Sequence, residues 1–210
     1  TVDPESPSFQ ADLQRFLAVC RVVHTLRGAR IGLVGVRPAD FNTVRFSEKL
    51  LEHHGISVEP IGLIDVIGRI GQLGEAEAEP VVAEIKEYMP AAAVPVEALG
   101  KMAKLLVVLR EWIGRNDLHA VAIQCWDSLQ KYLGVNSCAV MSMLSNAGIP
   151  AACESDVAGA VSMLALQAAS GMPSALVDWN NNYADDPERF VLFHCGNFPK
   201  AIYQCDSCQP

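Results

Sequence analysis

Residues 148–156 read Gly-Ile-Pro-Ala-Ala-Cys-Glu-Ser-Asp, a short apolar run that ends on an acidic side chain. Residues 151–154 are predicted to form a buried strand, because helical patterns precede it at 137–147 and follow it at 157–170. A strand between two helices is typical of a parallel sheet, in which ligands gather at the carboxyl ends of the strands. The acidic residue that ends this strand is therefore a candidate for chemistry.

The same alternation continues toward both ends of the chain. Further strands are predicted at 29–36, 56–64, 119–125, 174–179 and 190–195, with helices at 10–27, 75–89 and 96–112. Near-continuous apolar strands separated by helices predict an α/β fold, with a mostly parallel sheet or sheets covered by helices on both faces in Rossmann-like layers.

The segment 90–118 suggests a division of the chain into two parts. Pro90 and Pro95 precede the helix predicted at 96–112, which is long enough to connect two subdomains. We expect a front α/β subdomain at 1–115, with an entry helix and this connecting helix, and a rear α/β subdomain at 116–210.

Composition excludes several classes of partner. Half of the 210 residues are apolar and the formal net charge is −8, so a real core is expected, and neither nucleic acid nor an anionic membrane is an expected partner. The long uncharged run between Asp156 and Asp178 is interrupted by polar residues, glycine and Pro173, which indicates helix, loop and strand instead of a membrane span. Seven scattered cysteines and no signal peptide favour reduced thiols in a cytoplasmic protein.

Polar residues end three of the predicted rear strands: Glu154, Asp178 and His194. Consecutive parallel strands would deliver all three to one edge of the sheet. Two carboxylates and an imidazole suit a divalent cation, and Mn²⁺ is the cation we expect. Each residue also has an ordinary structural explanation: Glu154 as a helix cap, Asp178 in a turn with Asn180 and Asn181, and His194 as a buried, hydrogen-bonded side chain. Their joint occurrence after three apolar strands favours a site.

The chain resembles the L-fucose isomerase and L-arabinose isomerase superfamily, in particular its fucose-isomerase-like members. The matching motifs are Gly35-Val36-Arg37-Pro38-Ala39-Asp40-Phe41, Ile123-Gln124-Cys125-Trp126, the segment 148–156, Asp178-Trp179-Asn180-Asn181-Asn182-Tyr183 and Phe193-His194-Cys195-Gly196-Asn197. The resemblance implies a metal-dependent aldose-ketose isomerase acting on a pentose or 6-deoxyhexose through a cis-enediol. It implies that Glu154 and Asp178 bind Mn²⁺ and move the proton between C1 and C2.

The role of His194 is less specific in this resemblance. It resembles a metal-proximal histidine of the arabinose branch, whereas the ligating histidine of the fucose branch belongs to a later, C-terminal domain. Superfamily members are longer than this chain, which begins without Met and ends at Pro210. We therefore expect the central portion of a larger multidomain isomerase, inactive alone and homo-oligomeric in its complete form.

Three further residues are candidates for sugar binding. Trp126 follows a predicted strand and could stack on a sugar ring, although tryptophan at such a position is more often part of the core. Arg37 and Asn181 are polar loop residues that could bind sugar hydroxyls.

Two other functions compete with the isomerase. One is a non-catalytic sugar-binding module, which would not need paired acids. The other is a small structural-zinc protein, in which His194 and Cys195 would bind zinc with the Cys205 and Cys208 pair.

Overall fold

The computed structural model describes residues 3–202 and contains a four-stranded parallel sheet. Its strands are β1 (Arg30–Val34), β2 (Ser57–Ile61), β3 (Ala120–Ile123) and β4 (Ala151–Cys153), in the order β2-β1-β3-β4. All three neighbouring pairs are parallel. The predicted α/β fold is confirmed.

Helices cover both faces of this sheet. They are α1 (Pro7–Leu26), α2 (Glu48–His53), α3 (Leu63–Gln72), α4 (Glu75–Tyr88), α5 (Val96–Arg115), α6 (Ser128–Tyr132), α7 (Cys138–Asn146) and α8 (Val157–Ser170), with short 3₁₀ turns at Asn42–Val44 and Lys200–Ile202. Side chains alternate along β3, so Val121 and Ile123 pack in the core that contains α5 and α7, and Ala120 and Ala122 pack in the core of α8. The small alanines on the α8 side leave room for that helix to lie close to the sheet.

The uncharged run after Asp156 folds as helix α8 followed by a loop. Asp156 begins the helix by accepting a hydrogen bond from the amide of Gly159 at 2.8 Å, and Gly171 ends it with a φ of +71°. The Arg21 guanidinium of α1 donates to the carbonyls of Ala168 and Ala169 at 2.9 and 3.0 Å, which ties α1 to the end of α8. Within residues 3–202, no helix combines the length and the apolar character that crossing a bilayer requires.

The prediction of two more parallel strands is wrong. Residues 174–177 form a loop, and the strands that follow are β5 (Asp178–Tyr183) and β6 (Asp186–Phe193), which pair with each other antiparallel in a separate sheet. The connection between them, Ala184-Asp185, is too short for a parallel crossover, and Ala184 adopts the φ of +51° that a tight turn requires. Asp178 therefore begins a strand of a hairpin and does not end a strand of the sheet.

The division at residue 115 stays a prediction. Strands from both proposed parts share one sheet, since β1 pairs with β3 over Ile31 to Val34.

Candidate active site

The first component of the candidate site is the switch point of the sheet, where the direction in which successive strands are added reverses. After β1 the chain adds β2 on one side, and after β2 it returns to add β3 on the other side of β1. The loops that leave β1 and β3 therefore diverge and open a crevice, the usual ligand position in a sheet of this kind. A cavity of about 650 Å³ lies there, which we call the switch-point cavity. Its lining is Val36, Arg37, Pro38, Ala39, Asp40, Gln124, Trp126 and Asp127.

Gln124 joins these two loops. Its side-chain oxygen accepts a hydrogen bond from the amide of Val36 at 3.0 Å, and its side-chain nitrogen donates to Ser128 Oγ at 3.1 Å. The side chain is buried, so both polar atoms are satisfied inside the protein. Gln124 thus fixes the positions of the loops that carry Arg37 and Trp126.

A second cavity, of about 350 Å³, lies beside the first, and we call it the thiol cavity. Its lining is Phe41, Cys125, Trp126, Gln130, Asn136, Cys138, Glu154 and Cys195. Trp126 lines both cavities, is 52% exposed, and meets the ring of Phe41 edge to face with centroids 5.5 Å apart. Its indole is therefore accessible to a ligand instead of being part of the core.

Glu154 enters the thiol cavity from an unusual backbone turn. It follows β4 directly, and both Glu154 and Ser155 have positive φ values, +63° and +58°. The amide of Ser155 donates to the carbonyl of Ile123 at 3.1 Å, which holds the turn against β3. Two consecutive non-glycine residues in this region cost free energy, and such strain concentrates at functional sites.

His194 lies next to Glu154, but a different structural element from the predicted one places it there. It follows β6, is 7% exposed, and has a ring nitrogen within 4.8 Å of a Glu154 carboxylate oxygen and of Cys153 Sγ. The structure places Glu154 and His194 side by side, and the antiparallel hairpin, not a third parallel strand of the sheet, brings His194 there. Their roles as metal ligands stay predictions.

Burial and neighbouring charges shift the pKa values of Glu154 and His194. Burial raises the pKa of Glu154, and the nearby charges of Asp178 and Asp156 raise it further. Burial lowers the pKa of His194, while Asp178 acts in the opposite direction. Asp178 is itself exposed at the start of β5, yet its charge acts on both other residues. The structure therefore brings Glu154 and His194 together, while Asp178 influences both through its charge and lies outside their group of ligand atoms.

The donor set fits a divalent cation. Among the described residues, the ligand atoms that lie within 4.8 Å of one another belong to Cys153, Glu154 and His194. Asp178 is not in this group and acts on it through its charge. A carboxylate and an imidazole are ligands that Mn²⁺ accepts, and a cation would offset the part of the raised pKa of Glu154 that comes from Asp178 and Asp156. Nδ1 of His194 accepts a hydrogen bond from the amide of Cys195 at 2.9 Å, so the neutral ring carries its proton on Nε2. A cation bound at Nε2 would move that proton to Nδ1 and break this hydrogen bond.

The remaining predicted residues occupy different positions. Arg37 is half-buried in the switch-point cavity, where one guanidinium nitrogen donates to the carbonyls of Pro38 and Ala39 at 2.8 and 3.0 Å. Asn181 is exposed on β5 and does not line either of the two cavities within residues 3–202. The sugar-binding roles of both residues stay predictions. Cys205 and Cys208 lie outside the described residues.

Sequence reasoning missed the thiols around Glu154. Cys125, Cys138 and Cys195 line the thiol cavity, and Cys125 Sγ lies 2.7 Å from Cys153 Sγ. Either thiol can be the donor in this contact, which lowers the pKa of Cys125 and raises that of Cys153. The available signal was the position of Cys125 and Cys153 near the ends of neighbouring strands.

No family model matches the chain. The chain is similar to curated proteins named sulfoquinovose isomerase. It is 25% identical over 195 residues to those of Alkalicoccus urumqiensis and Priestia megaterium, a match that covers 92% of this chain and 44% of each relative. It is 25% identical over 207 residues to one from a Clostridium species, with 97% of this chain and 46% of the relative covered. The chain thus spans less than half the length of the curated relatives it matches.

The raised pKa of Glu154 leads to a stability prediction. Ionised Glu154 destabilises the metal-free folded chain, because its folded pKa lies above the ordinary value near 4.5. We expect Glu154→Gln, in the presence of a chelator, to melt at a higher temperature than the parent chain at pH 7. The difference should shrink as the pH falls toward 4.5, where the carboxyl is increasingly protonated in both states.

Thermal unfolding followed by circular dichroism across this pH range measures the effect. Glu188→Gln, at an exposed position of β6, is the matched control and should not change the melting temperature. A Glu154→Gln variant that melts below the parent at pH 7 would contradict the prediction.

Proposed function

We propose that this chain carries the acid/base carboxylates of a metal-dependent aldose-ketose isomerase. The observation that supports this most is the grouping of Glu154 and His194, whose ligand atoms lie within 4.8 Å of each other. The charge of Asp178 acts on the pKa values of both residues. The names of the relatives, all of them sulfoquinovose isomerases, support the same reaction class.

The chemistry needs two groups that move protons. Conversion of an aldose to a ketose removes the proton from C2 and returns a proton to C1 through a cis-enediol, while a hydroxyl proton moves between the neighbouring oxygens. Burial, the largest cause of the raised pKa of Glu154, makes its carboxylate a stronger base than an exposed one, so we assign Glu154 the removal of the proton from C2. We assign Asp178 the transfer of the hydroxyl proton between the two neighbouring oxygens.

The cation would be held by Glu154, Asp178 and His194. A Mn²⁺ ion held there would supply Lewis acidity that polarises the sugar carbonyl. His194 is suited to hold it because burial lowers its pKa and keeps the ring neutral at pH 7.

The substrate we propose is a 6-deoxyhexose, with a pentose as the alternative. Sulfoquinovose is a 6-deoxyhexose that carries a sulfonate. It is the first sugar to assay, because the relatives are named sulfoquinovose isomerase. An anionic sulfonate needs a local cation in a chain with a formal net charge of −8. Arg37 supplies one in the switch-point cavity, and Trp126 lines that cavity and the one that contains Glu154.

The test is an isomerase assay in D₂O, with Mn²⁺, on the longest natural protein that contains this chain. The cis-enediol mechanism predicts a ketose that carries deuterium at C1, since a carboxylate exchanges its proton with solvent. Sugar binding without turnover at saturating Mn²⁺ would instead favour the non-catalytic sugar-binding module. The same preparation tests our expectations of a homo-oligomer and of additional domains in the complete chain, and the cytoplasmic location stays a prediction.

The exposed indole of Trp126 gives a prediction for substrate binding. We expect Trp126→Ala to raise KM about fivefold with a smaller change in kcat, because an aromatic face stacked on a sugar contributes about 1 kcal/mol. Tyr132→Ala is the matched control, since Tyr132 is an exposed aromatic residue that lines neither cavity. Equal KM values for the parent and Trp126→Ala would exclude the stacking role.

A further inference from the structure

Two cysteine thiols are in contact at the carboxyl edge of the sheet. Cys153 ends β4, Cys125 follows β3 by two residues, and their Sγ atoms are 2.7 Å apart. Cys153 is fully buried, whereas Cys125 is 6% exposed and lines the thiol cavity. A small molecule in the cavity therefore reaches Cys125 first, with Cys153 directly behind it.

The sheet itself produces this contact. Strands β3 and β4 are parallel neighbours with Ile123 paired to Cys153, and Ile123, Cys125 and Cys153 all belong to the core on the α5 side of the sheet. The hydrogen bond from the Ser155 amide to the Ile123 carbonyl holds the end of β4 against β3. Backbone pairing therefore fixes Cys153 next to the end of β3, and Cys125 lies two residues beyond that end.

We propose that Cys125 and Cys153 are a modification site, a dithiol that a peroxide or a low-molecular-weight disulfide oxidises reversibly to a disulfide bridge. The bridge connects the residue before Trp126 to the residue before Glu154. It therefore fixes two sides of the thiol cavity relative to each other. The proposal does not depend on the isomerase function, although both concern the same cavity.

The oxidation with hydrogen peroxide has two steps. Sγ of Cys125 attacks one peroxide oxygen, the O–O bond breaks, and water leaves with the thiol proton, so that Cys125 becomes a sulfenic acid. Sγ of Cys153 then attacks the sulfur of Cys125, the S–O bond breaks, and a second water leaves. The two thiols lose two electrons and two protons, and the peroxide is reduced to two molecules of water.

The experiment maps the cross-link in the parent protein. The reduced protein is treated with hydrogen peroxide, the remaining thiols are blocked, and the protein is digested with trypsin without reductant. We expect one tryptic peptide that contains Cys125 to be joined to the peptide that contains Cys153, and the link to disappear with dithiothreitol. The oxidised protein should also melt at least about 5 °C higher than the reduced one, because the bridge constrains the unfolded chain.

Cysteine variants identify the two residues that form the cross-link. Cys138 and Cys153 share the tryptic peptide between Lys131 and Arg189, so Cys138→Ser must retain the cross-link. Cys125→Ser and Cys153→Ser must each lose it, whereas Cys20→Ser, at an exposed position on α1, must retain it. A link between Cys138 and Cys195, or a protein in which Cys125 and Cys153 stay reduced while Cys20 is oxidised, would overturn the proposal. Neither result bears on isomerase activity, which is assayed separately in the reduced protein.

Discussion

Replacement of Glu154 by Gln should abolish Mn²⁺ binding and lower kcat about 10³-fold or more. The variant retains the size of the side chain but loses the charge that would hold the cation and accept the C2 proton. Asp178→Asn should lose metal binding as well, since the Asp178 charge acts on both Glu154 and His194. Calorimetric titration with Mn²⁺ measures binding, and the rate of ketose formation at saturating sugar measures kcat.

Controls on the same hairpin make this result specific. Asp185→Asn and Glu188→Gln remove one exposed negative charge each and should bind Mn²⁺ as the parent does. His194→Ala should weaken Mn²⁺ binding less than Glu154→Gln if the carboxylates dominate the site. Undiminished turnover in Glu154→Gln would exclude Glu154 as the base and would leave the resemblance to isomerases without a chemical explanation.

The sheet could be predicted from the sequence because its strands are short, apolar and separated by helices. The strand that ends on Cys153 and the helices on both sides of it are found where the apolar pattern placed them. The same pattern failed at residues 174–177, where Leu176 packs against the α8 core from a loop and the Ser174 hydroxyl donates to the Met163 carbonyl. Apolar side chains indicate burial, and burial does not require a strand.

The hairpin was missed because its first strand has no apolar alternation. Residues 178–183 are all exposed, so the pattern that reveals a half-buried strand is absent. His194 could nevertheless be placed near Glu154, since its predicted position at the end of a strand was nearly right and only the pairing was wrong. The thiol contact between Cys125 and Cys153 depends on the pairing of β3 with β4, which a single sequence does not specify.

A second large effect is expected at Gly35, in the loop that leaves β1. Gly35 has a φ of +75°, and a Cβ added there would lie 2.3 Å from Gln124 Oε1 and 2.9 Å from Gln124 Cβ. We expect Gly35→Ala to lower the unfolding free energy by about 3 kcal/mol, about 1 from the backbone conformation and about 2 from the clash. The melting temperature of the chain should fall by roughly 6–12 °C.

Gly28 separates the two contributions, because it has nearly the same φ, +80°, with no atom within 4 Å of an added Cβ. Gly28→Ala should therefore cost only about 1 kcal/mol, the backbone contribution alone. Gly35→Ala also has to displace the Gln124 side chain that accepts from the Val36 amide, so the loop with Arg37 should lose its attachment to the loop with Trp126. Thermal melts of both variants, with KM measured for Gly35→Ala, test this argument. Equal destabilisation by the two substitutions would mean that Gln124 moves aside at no cost and that its hydrogen bond to Val36 does not hold the switch-point cavity in shape.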